Sequence, residues 1–333
     1  MKYLRKSMIS LILVSIVAIA IFCKCNTESA KEQPIEVKKD SLSLKTEWQA
    51  PDTNSIAKTE EGNLIHYGKN LIANTATYLG PKGTVAHISN GMNCQNCHID
   101  AGTKLYGNSF SAVASIYPTF RPRSGRVESI EFRINDCMQR SLNGKTMDSL
   151  SREMRAMVAY LKWIGKDVPK GVKPKGSGTE ELPFMDRPAD PEKGKIVYAS
   201  KCQSCHQQNG QGLLKPDSAT YLYPPLWGPH SYNVGAGLYR LTRFAGYVKN
   251  SMPFGATYQN PQLTNEEAWD VGAFVNSQPR PKKSFPHDWS DLGSKAIDHP
   301  FGPYKDNFSE TQHKYGPFGP IKKAKDSTAK QAK

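Results

Sequence analysis

The pentapeptides CQNCH at Cys94–His98 and CQSCH at Cys202–His206 decide the fold of this chain. In each pentapeptide two cysteines stand three positions apart, and a histidine follows the second cysteine at once. Thiols at this spacing add to the two vinyl groups of a haem, and the adjacent imidazole reaches the iron from one face. A single copy could be a redox or zinc fragment, but two complete copies predict two covalently attached haems c. The predicted haem-binding residues are Cys94, Cys97, His98, Cys202, Cys205 and His206.

The length of the chain suits two haem domains. A chain of 333 residues corresponds to about two domains. A buried porphyrin supplies apolar core that a domain of roughly 80–100 residues could not build from its own side chains. We therefore predict a mainly α-helical fold, in which a linker rich in proline and glycine joins two cytochrome c-type haem domains.

Helical periodicity and capping residues mark the limits of the two domains. Apolar residues within 64–72 fall on one helical face, and a closing helix is predicted over 149–164. In the second half, Asp190-Pro191 is typical of a helix start, and Thr264 with Glu267 predicts a capping box for the last helix. The predicted segments are a flexible tether over 26–60, the first domain over 61–165, a linker over 166–188, the second domain over 189–280, and a surface arm over 281–333 that becomes a disordered basic tail from about Lys322.

The N-terminus carries an export signal. A short basic segment precedes an almost unbroken apolar run from Ile9 to Phe22, which is too short for a membrane span and suits a signal peptide over 1–25. Haem c is also attached outside the bacterial cytoplasm, so we expect the protein in the periplasm or cell envelope. Cys23 or Cys25 is a candidate for a lipidated N-terminus, with a plainly cleaved signal or an uncleaved anchor as alternatives.

The net charge of +14 favours anionic partners. For an exported haem protein we expect a small anionic substrate or an anionic membrane surface, and no nucleic acid. Part of this charge lies in the lysine-rich C-terminal tail, which we expect to be solvated.

A proline follows each haem histidine at a similar distance. Tyr117-Pro118 and Pro224-Pro225 lie about twenty residues after His98 and His206. In c-type domains a proline carbonyl at such a place commonly accepts the N–H of the proximal imidazole, which fixes its tautomer and strengthens the iron bond. We expect this contact in both domains, with plain turn prolines as the alternative.

The distal sides of the two haems differ. Met252 lies in the loop SMPFGATY before the last helix, where small c-type cytochromes carry a distal methionine, and His230 is its competitor. The first domain has no such loop, and Cys137 is the cysteine left without a role in haem attachment or export. A thiolate ligand lowers the haem potential, unlike a thioether. We predict His206/Met252 ligation for the second haem and favour Cys137 over Met138 or a buried structural cysteine for the first.

These residues resemble the diheme thiosulfate dehydrogenases that form tetrathionate, a family related to the haem-thiolate subunit of the Sox sulfur-oxidising complex. The resembling stretches include NGMNCQNCHIDAGT, YPTFRPRSGRVESIEFRINDCMQRSLNGK, DPEKGKIVYASKCQSCH and SMPFGATY. The resemblance implies His98/Cys137 ligation at a catalytic haem and His206/Met252 ligation at a relay haem, which passes electrons to an external cytochrome c or similar acceptor. Some members use a lysine before the second methionine as an alternative ligand, but this chain has Ser251 there.

Arginines crowd around Cys137, and guanidinium groups bind sulfonate oxygens through paired, charge-assisted hydrogen bonds. The resemblance implies that Arg123 and Arg133 are substrate-side arginines and that Ser141 is a nearby polar contact. Pairing with haem propionates or with water is the alternative for each arginine. The arginines of this segment are Arg121, Arg123, Arg126, Arg133 and Arg140.

The expected reaction joins two thiosulfates into tetrathionate, or runs in the reverse direction. Cys137 would carry a transient sulfur adduct, and two haems match the two electrons released. The alternative function is a non-enzymatic diheme electron-transfer cytochrome c, which needs no thiolate and no arginine cluster. That alternative predicts two His/Met haems.

Overall fold

The structure is a computed structural model that describes residues 47–216 and 219–331. The predicted signal peptide, the cysteines at its end and most of the predicted tether lie outside the described residues. Within the described ranges, no helix has the length and apolar character needed to cross a bilayer.

The fold is mainly α-helical, with two short antiparallel hairpins. In the first domain the elements are α1 Glu60–Ala73, α2 Thr75–Leu79, the short irregular α3 Ile99–Gly102, α4 Val113–Ile116, β1 Thr119–Arg121, β2 Arg126–Glu128, α5 Ile130–Arg140 and α6 Arg152–Ile164. In the second they are α7 Pro191–Lys201, α8 Gln203–His206, β3 Leu213–Leu214, β4 Tyr221–Tyr223, α9 Leu241–Ser251 and α10 Asn265–Ser277. Two further helices follow, α11 Glu310–Tyr315 and α12 Phe318–Gln331.

The helices have the faces and caps that the sequence predicts. Helix α1 buries Ile65 and Leu71, and Asp190 caps α7 by accepting from the Glu192 amide. At α10 the Thr264 side chain accepts from the Glu267 amide, while the Glu267 carboxylate accepts from the Thr264 amide. Helix α6 begins three residues later than expected, and Ser151 is its cap.

Each haem motif follows a helix that crosses the closing helix of its domain at a glycine. A Cβ atom on Gly68 of α1 would lie 1.9 Å from the Ala156 carbonyl oxygen of α6. A Cβ atom on Gly194 of α7 would lie at the same distance from the Asp270 carbonyl oxygen of α10. The obstructing atoms belong to the backbone, so both crossings depend on the absence of a side chain.

The two domains contact each other beside the first haem motif. The Tyr247 hydroxyl of α9 donates to the Asn96 carbonyl oxygen inside CQNCH at 2.7 Å. The Asn233 side chain donates to the Gln139 carbonyl oxygen at 2.8 Å, and Cys97 packs against the core of the second domain. The first haem site is therefore built against the second domain.

The C-terminal region corrects the sequence interpretation. The residues from Lys322 to Gln331, predicted to be disordered, lie within helix α12. Phe318 and Ile321 are 3% and 1% exposed and belong to the second-domain core, where Phe318 contacts Trp269. The predicted surface position of this region and the predicted disorder of its tail were both wrong. The apolar residues that anchor α12 are scattered among proline, glycine and lysine, so the sequence shows no long helical stripe here.

The segment that precedes helix α11 contacts the second domain through a buried ion pair of Asp298. Asp298 is 1% exposed and accepts from Arg240 Nε at 2.7 Å and from the Thr242 amide at 3.1 Å. Burial raises the pKa of Asp298, but the Arg240 charge and the Thr242 hydrogen bonds outweigh it and hold the pKa below its usual range.

Gly194→Ala should lower the stability of the second domain by about 1–3 kcal/mol or more, because the methyl group would overlap backbone of α10. The measurement is urea unfolding of the haem-loaded protein. Gly237→Ala is the matched control, since no atom lies within 4 Å of its Cβ position. Equal stability of the two variants would contradict the close-packed crossing.

Asp298→Asn should lower the free energy of unfolding by about 3–5 kcal/mol at pH 7, because Arg240 would lose its buried counter-charge. The folded-state pKa of Asp298 lies below its unfolded-state pKa of about 3.9. The stability that the Asp298 carboxylate contributes is therefore fully present above the unfolded-state pKa, and it is lost as the pH falls through the folded-state pKa. Unfolding free energies at pH 7 and pH 3 test this, with the exposed Asp326→Asn as control. A deficit that stays constant with pH would count against the ion pair.

Candidate haem and substrate site

A cavity of about 200 Å³ lies in the first domain. The haem-motif residues Cys94, Cys97 and His98 line it together with residues of α5. Much of the remaining lining is apolar and comes from Ile72, Phe110, Val113, Ile130, Ile134, Leu142 and Leu161. The cavity has the donor set and the apolar walls that a covalently attached porphyrin requires.

Helix α5 brings three predicted site residues to this cavity. Arg133 and Cys137 are four residues apart on α5, and Ser141 is its C-cap residue, a further four on. Residues at this spacing share one helical face, and all three line the cavity. Met138, the competing ligand candidate, also lines it, but its side chain is 1% exposed and packs in the hydrophobic core.

The proximal imidazole of the first motif has a different partner from the one predicted. His98 Nδ1 lies 2.6 Å from the Asn108 carbonyl oxygen, so the expected contact with Tyr117-Pro118 was wrong. The loop after His98 turns back through Asn108, whose φ of +60° is in the left-handed region, and so brings this carbonyl close after ten residues. Phe110 stacks on the imidazole at 4.1 Å, and burial lowers the pKa of His98 to about 4. The ring is therefore neutral, as metal ligation requires.

The second motif has the predicted proline contact. His206 Nδ1 lies 2.9 Å from the Pro224 carbonyl oxygen, and burial lowers the pKa of this imidazole. Met252 follows the last residue of α9 and packs against the second-domain core, as does Cys202. His230, its competitor, is exposed.

A buried cation also fits a haem carboxylate. Arg280 Nη2 donates to the Val275 carbonyl oxygen at 2.6 Å, whereas its buried Nε and Nη1 have no carbonyl or carboxylate partner among the described residues, and the Tyr232 hydroxyl is the polar group beside the guanidinium. Its guanidinium lies 4.3 Å from the Tyr232 ring centroid and 4.9 Å from that of Tyr239. Such N–H groups suit a carboxylate such as a haem propionate. The donor sets of both motifs and this arginine therefore fit two haems.

Asp136, which the sequence interpretation overlooked, organises the arginines beside Cys137. Its side chain is 7% exposed and pairs with Arg123 Nη1 at 3.4 Å and with both Arg133 and Arg140. Burial raises the pKa of Asp136, but the three guanidinium charges outweigh it and hold the pKa below its usual range. Its positions relative to Arg133 and Arg140, i,i+3 and i,i+4, were a sequence signal for these pairs.

The predicted arginines separate into different environments. Arg133 and Cys137 lie one helical turn apart on α5 and both line the cavity, and a negative charge on Cys137 would be the largest of the influences that raise the pKa of Arg133. Burial, followed by the Arg133 charge, lowers the pKa of Arg123 to about 10. Arg121 lines the cavity, whereas Arg126 is exposed and lies 4.0 Å over the Phe132 ring.

Comparisons with known proteins place both domains in known families. The family model described as SoxA/TsdA, cytochrome c domain matches residues 84–169, and the model described as Cytochrome c matches residues 191–279. Thiosulfate dehydrogenase of Psychrobacter arcticus is 37% identical over 253 residues, which are 75% of this chain and 74% of that protein. The chain belongs to the thiosulfate dehydrogenase family.

Further members of the thiosulfate dehydrogenase family are similar over both domains. Thiosulfate dehydrogenase of Allochromatium vinosum is 37% identical over 224 residues, which are 66% of this chain and 79% of that protein. The solved structure of thiosulfate dehydrogenase (TsdBA) from Marichromatium purpuratum superimposes on 71% of this chain with a TM-score of 0.65 and 30% identity. This chain covers 50% of that longer one.

Membership of the thiosulfate dehydrogenase family confirms the mainly α fold with two cytochrome c domains. It also confirms two c-type haems and an oxidoreductase activity. When bound, the haems supply one-electron redox chemistry, and the cysteines and histidines of the two motifs are the residues that would hold them.

Proposed function

We propose that this protein oxidises two thiosulfates to tetrathionate at the first haem, with Cys137 as distal ligand and sulfur-binding residue. The supporting observation is that Cys137, Arg133 and Ser141 line one cavity with the haem motif at Cys94–His98. The names of the curated relatives support thiosulfate as the substrate.

Substrate binding is assigned to the arginines and the serine of this cavity. Thiosulfate is a small dianion, and Arg133 can donate two charge-assisted hydrogen bonds to its sulfonate oxygens. Arg123 is paired to the same carboxylate oxygen of Asp136 as Arg133, and it adds positive charge near the cavity. The Ser141 hydroxyl adds a hydrogen-bond donor.

Cys137 then carries the sulfur chemistry. Its sulfur forms an S–S bond with the sulfane sulfur of one thiosulfate, with the loss of two electrons that the two haems, when bound, would accept. A second thiosulfate attacks the bound sulfane sulfur, which breaks its bond to Cys137 and releases tetrathionate and the thiolate. Arg133 stabilises the thiolate and the sulfonate charge at each stage. The same steps in reverse reduce tetrathionate.

His206 and Met252 would hold the second haem, which would supply electron transfer to an external cytochrome c or similar acceptor. The N-terminal signal supports action in the periplasm or cell envelope, and a lipid on Cys23 or Cys25 would hold the protein at the membrane. A plain electron shuttle is less well supported, because it gives no reason to place Cys137 beside Arg133 in the first haem cavity.

Cys137→Ser should abolish the electron paramagnetic resonance signal of a low-spin thiolate haem, because a hydroxyl does not replace the thiolate. Thiosulfate-dependent haem reduction should fall on the order of a thousandfold or more, with both haems still attached. Met138→Leu is the control and should keep both properties. Undiminished turnover in Cys137→Ser would refute the proposed chemistry, and loss of the distal-ligand signal in Met138→Leu would assign ligation to Met138.

Arg133→Ala should raise the KM for thiosulfate on the order of tenfold or more, because a charge-assisted pair to the sulfonate is lost. Arg126→Ala removes the same charge from an exposed position on the neighbouring hairpin and should leave KM unchanged. Steady-state kinetics at fixed ionic strength make the comparison. Equal effects of the two substitutions would mean that only the overall positive charge matters.

A further inference from the structure

We propose that the C-terminal arm positions the arginines of the first haem cavity, with Asp288 as the positioning residue. The arm is defined here as residues 281–299, which lie beyond the ranges matched by both family models. The inference rests on the proposed function of the cavity, because the arginines it concerns are those assigned to thiosulfate.

The principal contact is a bidentate salt bridge between the arm and helix α5. Arg140 Nη1 donates to Asp288 Oδ2 at 2.8 Å, and Arg140 Nη2 donates to Asp288 Oδ1 at 2.8 Å. The Arg140 side chain is 7% exposed, and its guanidinium lies 3.6 Å from the centroid of the Phe285 ring, also on the arm. Two parallel hydrogen bonds and a stacked ring fix the guanidinium in one orientation.

The arm also contacts Arg123 and the loop that follows helix α5. The Trp289 amide donates to the Arg123 carbonyl oxygen at 2.7 Å, and the Arg123 guanidinium lies 5.9 Å from the Trp289 ring. Lys283 donates to the Gly144 carbonyl oxygen at 2.8 Å. At its far end the arm is held to the second domain by Asp298, so it connects that domain to the substrate-side arginines.

Asp288 affects the proposed substrate site because Arg140, its partner, shares the Asp136 carboxylate with Arg123 and Arg133. One carboxylate oxygen of Asp136 binds Arg140 Nε, and the other serves both Arg123 and Arg133. Asp288 occupies both terminal nitrogens of Arg140. Without Asp288 these nitrogens would lie buried without an acceptor, which is costly, and would turn to Asp136. Arg140 would then compete with Arg133 for the carboxylate that orients it towards Cys137.

A simple loss of charge and a loss of positioning predict opposite results. Removing a negative charge near the cavity would by itself strengthen the attraction for a dianion and lower the KM for thiosulfate. Misorientation of Arg133 would weaken thiosulfate binding and raise the KM. The direction of the change in KM therefore separates the two explanations.

Asp288→Asn in the full-length haem-loaded protein should raise the KM for thiosulfate on the order of tenfold, with a much smaller change in kcat. Asp288→Glu should restore most of the affinity, because it keeps a two-oxygen acceptor for Arg140. The control is Asp291→Asn, which removes an exposed carboxylate three residues further along the arm. A lower KM, an unchanged KM, or a loss of stability or haem content with normal KM would each overturn the proposal.

A second readout does not depend on the thiosulfate reaction. Because Arg133 lies beside Cys137, its displacement in Asp288→Asn should shift the electron paramagnetic resonance signal and the midpoint potential of the first haem. If the unmodified protein neither binds nor oxidises thiosulfate, the proposed function fails, and these spectra still decide the role of the arm. Identical spectra and potentials in Asp288→Asn and the unmodified protein would contradict it.

Discussion

The interaction on which the proposed substrate site depends is the pairing of one buried carboxylate with three guanidinium groups. Asp136 of helix α5, which precedes Cys137 in the sequence, pairs with Arg123, Arg133 and Arg140. Three like charges at this separation would repel one another and lose their hydration without such an acceptor. The carboxylate makes the cluster compatible with a folded core and still leaves net positive charge for an anionic substrate.

The two haem domains share an architecture and differ in what surrounds it. In both, a helix crosses the closing helix at a glycine, and a carbonyl oxygen holds the proximal imidazole. Both sites have contacts from outside their own domain: the second domain contacts the first site at Asn96, the arm contacts Arg140, and Lys104 of the first domain donates to the Ala256 carbonyl oxygen in the Met252 loop.

The sequence predicted features whose causes are local. The haem motifs, the Thr264–Glu267 capping box and the Pro224 contact all follow from spacing along the chain. Asn108 could not be identified as the partner of His98, because an irregular loop with left-handed residues brings it there. The ion pair of Asp288 with Arg140 and the burial of Ile321 were also missed, since both arise from contacts with residues distant in sequence.

The most direct test of the central claim is anaerobic titration of the oxidised, purified protein with thiosulfate, while haem reduction and tetrathionate are both measured. The account predicts that thiosulfate reduces both haems and that one tetrathionate appears for every two haems reduced. If thiosulfate reduces neither haem and tetrathionate oxidises neither, the first haem is not a site of this sulfur chemistry, and the protein is an electron carrier.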